Sequence, residues 1–120
     1  MYDVFKGLVG CVLNGAPVVK DDNLYVLTSR GPFVFGAEGD CCARCYWDEV
    51  EVPADVDGAQ VLSVEDEGWD RIDAPGDVEE RCFVTIRTTA GAITATLRLS
   101  HNGYYGGWAT LIRFPEAEAA

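Results

Sequence analysis

The chain has a single histidine and only nine lysines and arginines among its 120 residues. No apolar run approaches the roughly 20 residues that a membrane-spanning helix needs. The first ten residues, Met1 to Gly10, lack the basic region, apolar stretch and small-residue cleavage site of a secretory signal, so a cytoplasmic chain without membrane contact is expected. Five cysteines is an odd count, which excludes full pairing within one chain, and the adjacent Cys41 and Cys42 are awkwardly placed to bridge each other. Reduced thiols in a cytosol follow. Also missing are a Gly-x-Ser-x-Gly elbow, a glycine-rich phosphate loop opening a helix, and a second Cys-x-x-Cys. Asp55-Val56-Asp57-Gly58 is only a fragment of a calcium loop. These gaps leave no catalytic residue and no cofactor to assign, and the expectation is a non-enzymatic protein.

Apolar residues make up 48% of the chain and thirteen are aromatic, enough for one packed core and too many for a disordered chain. The length suits one β-rich domain, residues 1–115, with 116–120 a frayed tail. Thirteen glycines and five prolines imply frequent turns and hence short strands.

The net charge of −11 is unevenly spread. Between Glu38 and Glu80 lie fifteen of the twenty carboxylates, opposed only by Arg44 and Arg71, a local balance of −13. From Arg81 to Arg113 there are four arginines and no carboxylate. Phosphate repels so acidic a surface, so direct nucleic-acid binding is not expected. A basic protein partner is compatible with it.

Hydrophobic alternation predicts a mainly β fold (α+β at most): an antiparallel sheet of about seven or eight short strands, a C-terminal three-stranded meander and at most one short helix. Leu8 to Asn14 reads as a first strand. Leu24–Ser29 and Pro32–Phe35 form a hairpin through Arg30-Gly31, and Gly36 to Gly39 interrupts the pattern. In Cys45 to Val52, the set Cys45, Trp47, Glu49, Glu51 carries most of the charge and reads as the exposed side. Pro53 to Gly58 suits one helical turn. Gln60 to Glu65 reads as a strand closed by the turn Asp66-Glu67-Gly68, and Trp69 to Val78 as an exposed loop whose Trp69 and Ile72 meet the core or a partner. The meander is clearest: Cys82, Val84, Ile86, then Ile93, Ala95, Leu97, Leu99, then Trp108, Thr110, Ile112, Phe114, joined by Ala90-Gly91 and Asn102-Gly103 turns.

Three local motifs carry possible chemistry. Cys42 and Cys45 have the spacing of half a tetrahedral zinc site, but the remaining cysteines and His101 offer no matching pair, and buried small apolar groups are the simpler reading. His101, beside a hairpin turn, reads as solvated because turns lie on surfaces. Tyr104, Tyr105 and Trp108, set among Gly103, Gly106 and Gly107, could stack a base or a partner side chain or cover a sheet edge.

Asp40-Cys41-Cys42 and, about sixty residues on, His101-Asn102-Gly103-Tyr104-Tyr105 resemble a family of small bacteriophage proteins of unknown function. That family carries an Asp-Cys-Cys motif after early hairpins and a closing Ser-Asn-Gly-Tyr-Tyr-like turn. The similarity runs from about Leu8 to Phe114. It departs at His101, where the family usually has Ser, at Gly106, where a Ser is common, and at Ala43, where an acid is usual. The resemblance implies a phage-type origin and work inside an infected bacterium, and brings no activity.

The leading expectation is a phage accessory protein that binds and inhibits a host protein, a defence or nucleic-acid-binding component, through an acidic surface holding Asp48, Glu49, Glu51, Asp66, Glu67 and Trp69. An alternative is a ligand sponge for a nucleotide signal, with Arg87 and Arg98 converging near Tyr104, Tyr105 and Trp108. A third is a zinc-stabilised (Cys42, Cys45) or structural virion protein. An exposed edge in so small a sheet makes a homodimer reasonable.

Overall fold

The computed structural model describes residues 2–40, 43–74, 77–101 and 106–115. The chain is mainly β, and the described residues form eight antiparallel strands, in line with the alternation, divided between two four-stranded sheets. The first sheet has the order β1-β2-β3-β8, formed by β1 (Val18–Lys20), β2 (Asn23–Thr28), β3 (Gly31–Gly39) and β8 (Gly107–Arg113). The second has the order β4-β7-β6-β5, formed by β4 (Arg44–Glu51), β7 (Gly91–His101), β6 (Asp77–Thr88) and β5 (Val61–Ala74). Their inner faces close on one core. Leu24, Val26, Phe33 and Phe35 come from the first sheet and Trp47, Val84, Ile86, Ile93 and Leu97 from the second.

The predicted first strand is instead a 3-10 segment, Tyr2–Leu8, followed by isolated bridges. At three residues per turn, Phe5 and Leu8 fall on one side of that segment and both are buried. Gly10 and Gly15 then take positive φ, which breaks an extended run. Between them Val12 bridges Gln60 beside the second sheet and Leu13 bridges Thr28 in the first, so this segment ties the sheets together.

Trp47 makes the other tie. It is 1% exposed, and its indole N–H donates to the Gly36 carbonyl on β3 at 3.0 Å. Its ring also meets Phe5 edge-on, centroids 6.0 Å apart.

Four further expectations are corrected. Gly36 to Gly39 does not interrupt β3, because it pairs with β8. The 53–58 segment forms turns, with Asp55 and Gly58 at positive φ, and no helical turn. The acidic turn and loop from Asp66 to Val78 belong to a long β5–β6 hairpin. Finally, β8 does not complete a meander with β6 and β7. It crosses to pair with β3, and Gly107 lets it pass so close to the second sheet that an added Cβ would lie 2.7 Å from Leu99 and 2.9 Å from Cys45.

Candidate functional site

The acidic residues singled out in the sequence do not form one patch. Asp48, Glu49 and Glu51 lie on β4, and Asp66, Glu67 and Trp69 on β5. These are opposite edges of the second sheet, with β7 and β6 between them, a separation of about 14 Å at the usual strand spacing. A bulge explains the misread phase of β4. Pairing steps from Trp47↔Leu97 to Glu49↔Thr96, leaving Asp48 as the extra residue. Trp47 thus turns inward, while Asp48 meets Arg98 at 2.5 Å and Glu49 and Glu51 face solvent. On β5, pairing steps from Asp66↔Val84 to Trp69↔Cys82, and Gly68 takes a φ of 77°. Asp66 and Trp69 are half-buried opposite core residues of β6, and Glu67 projects into solvent. Glu49, Glu51 and Glu67 carry no ion pair among the described residues.

The arginines do not converge either. Arg98 lies opposite Arg81, whereas Arg87 sits six residues further along β6, about 20 Å away. Each is matched by a carboxylate: Arg87 with Glu65 at 3.5 Å, Arg81 with Asp70 at 3.4 Å, and Arg98 with Asp48. The Asp48 hydrogen bond raises the Arg98 pKa. Trp108 lies on β8 in the other sheet, paired with Glu38, so it does not join Arg87 and Arg98. Tyr104, Tyr105 and the Asn102-Gly103 turn lie outside the described residues, as do Cys41, Cys42 and the 116–120 tail.

His101 is buried, not solvated. It ends β7 on the inward side, opposite Val78, and its Nε2 lies 2.7 Å from Glu80 Oε2. Arg71 lies opposite Glu80 in register, so three ionisable groups share the outer end of the inward face. The sequence could not show this, because a neighbouring Asn-Gly pair reads as a surface turn. Cys45 points inward beneath β8, and burial pushes its thiol up to about 12 from 9.0. Burial likewise raises Cys82 to about 11, aided by the charge of Asp66. Among the described residues no group of three or more His, Cys, Asp or Glu side chains could hold a metal, and no helix is long and apolar enough to cross a membrane.

One surface was missed. The outward face of the first sheet exposes several large apolar side chains among its polar ones. Val18 is 51% exposed, Leu27 53% and Ile112 59%, with Trp108 at 39% on the same face. Phe114, just past the end of β8, is 59% exposed. Beside Val18 a cavity of about 460 Å³ opens, lined by Asn14, Gly15, Ala16, Lys20, Tyr25 and Leu27. The signal was present in β8. Ala109 and Leu111 turn to the core while Trp108 and Ile112 turn out beside Thr110 and Arg113, so large apolar residues stand on both faces of that strand.

A domain of unknown function, DUF7448, matches residues 5–111. The chain belongs to that family. Comparison with characterised proteins and with solved structures returns no match.

Proposed function

We propose that this DUF7448 member is a phage-type accessory protein that works by binding, without chemistry of its own. It holds and inhibits a basic protein of the host cytoplasm, a defence or nucleic-acid-binding component, through the acidic second sheet. The observation that carries the reading is the division of charge between the sheets. The strand residues of the second sheet sum to −6 and those of the first to +1. A sheet of one sign raises the encounter rate with a partner of the other sign and rejects like-charged surfaces. Glu49 and Glu51 on one edge and Glu67 on the other are exposed and carry no ion pair among the described residues. The central Arg81 and Arg98 are already matched by Asp70 and Asp48.

The test is capture from host lysate by the tagged chain at low and moderate salt, beside the triple variant Glu49→Gln, Glu51→Gln, Glu67→Gln. The expected result is one stoichiometric partner that weakens with salt and is lost by the variant. Failure to capture a partner at either salt, or equal capture by the variant, refutes the reading.

A further inference from the structure

We infer that the outer edge of β5 is a docking site for an extended basic segment, which adds to the second sheet as a further strand over Trp69–Ala74. The inference rests on the proposed reading of the second sheet and names its mode of contact. This edge already accepts a chain. Val61 donates its N–H to the Cys11 carbonyl and accepts the Gly10 N–H, each at 2.8 Å, and Val12 bridges Gln60 in the antiparallel sense. At Gly10 a φ of 89° turns the chain off the edge. From Leu62 to Ala74, β6 supplies the only backbone hydrogen bonds to β5 among the described residues. The opposite edge differs, because Asp22 accepts the Trp47 N–H in the middle of β4.

Register marks where a guest strand fits. Pairing with β6 is irregular between Val61 and Ser63 and between Asp66 and Trp69, and such bulges discourage pairing along an outer edge. Beyond them it runs residue for residue, from Trp69↔Cys82 to Ala74↔Asp77. Over this run, roughly 20 Å of strand, alternate residues present N–H and C=O outward in the regular order that a guest needs. Charge marks what the guest is. β5 carries five carboxylates against Arg71, a sum of −4, whereas β4 sums to −2 and the edge strands of the first sheet, β1 and β8, to +1 each. A strand as acidic as this chain is repelled there, and one rich in lysine or arginine is drawn to it. In strand addition, main-chain hydrogen bonds supply the affinity and side chains the selection.

Short peptides with blocked ends test this on the full, unaltered chain, by calorimetric titration and by amide hydrogen exchange read by NMR. One alternates lysine with valine, one glutamate with valine, and one lysine with proline, which keeps the charge but lacks the N–H groups a strand must offer. The lysine–valine peptide should bind, and more weakly as salt rises. At ten times its Kd it should slow exchange about tenfold at alternate amides of Trp69–Ala74. The glutamate–valine peptide should not bind, and the lysine–proline peptide should bind at least about tenfold more weakly, for want of several main-chain hydrogen bonds. No binding of the lysine–valine peptide overturns the inference. So does equal binding of the lysine–proline peptide, or protection that falls outside Trp69–Ala74. Capture of a host partner without such protection would keep the acidic-sheet reading and refute strand addition, and protection without capture would do the reverse.

Discussion

Replacing Trp47 with Phe should cost the protein a large share of its stability, because one indole N–H joins the two sheets. The Phe ring keeps the edge contact to Phe5 but cannot donate to Gly36. A buried carbonyl left without its donor costs about 1–3 kcal/mol. The lost half of the indole leaves a void among Phe5, Phe35 and their neighbours, which adds roughly 1–2 kcal/mol. The sum, about 2–5 kcal/mol, is set against a total of about 5–15 kcal/mol for a domain of this kind. Urea unfolding followed by far-ultraviolet circular dichroism avoids the fluorescence change that the substitution itself causes. With a urea dependence of about 1–3 kcal/mol per molar, the midpoint should fall by at least about 0.7 M. Trp69→Phe is the control: that ring is half-buried on β5, and its loss should cost under about 1 kcal/mol. If Trp47→Phe shifts stability by less than roughly 0.5 kcal/mol, or no more than the control, the sheets are not joined as described.

Burial of the thiols predicts a particular alkaline behaviour. Cys45 and Cys82 keep their protons in the folded chain to about 12 and about 11, whereas the ordinary value is 9.0. Stability from these groups is therefore complete below pH 9 and falls as pH climbs from 9 towards 11. Urea midpoints across that range should show the fall, and Cys45→Ala should flatten it; an unchanged slope would count against the burial of Cys45. At the C-terminal end of β7, His101→Asn removes the partner of a half-buried Glu80 and should cost about 1.5–3 kcal/mol in the same assay, the range for hydrogen bonds to charged groups. A loss indistinguishable from zero would mean that the pair is solvated.

The parts of the fold legible in the sequence are those whose alternation runs unbroken from end to end. Cys82, Val84 and Ile86, and Ile93, Ala95 and Leu97, turn inward as their spacing requires. The misreadings occur where backbone geometry, which composition does not encode, resets the phase. One extra residue at Asp48 lets Trp47 before it and Val50 after it both face the core. The hairpin beyond Asp66 was hidden for a different reason. Its inward side mixes Arg71 and Glu80 with Trp69 and Val78, so a paired strand looks like a polar loop. The crossing of β8 depends on Gly107 as the one residue that fits against Leu99 and Cys45, a close approach that no pattern of neighbours along the chain reveals.

The placement of the carboxylates also bears on what the second sheet can be for. An edge strand offers unpaired backbone groups to any passing chain, and natural sheets blunt such edges with bulges and inserted charges. Both edges of the second sheet have both devices: a bulge at Asp48 on β4 with Glu49 and Glu51 beside it, and a bulge around Glu67 on β5 with Glu65 and Asp66 beside it. Protection of the edges alone would account for these residues, but it would not account for the rest of the asymmetry. In the first sheet, β1 is only three residues long and β8 carries Arg113 and no carboxylate, so those edges are managed without acid. Acid was therefore not the only means open to this chain, and its concentration in one sheet leaves the other with a single strand carboxylate, Glu38. The molecule that results has two unlike outward faces. An apolar face suits a permanent contact whose gain comes from excluded water, and a charged face suits a partner that must be found quickly and released or rejected by salt. The two outward faces of the chain therefore suit contacts of different kinds, one held by excluded water and one by charge.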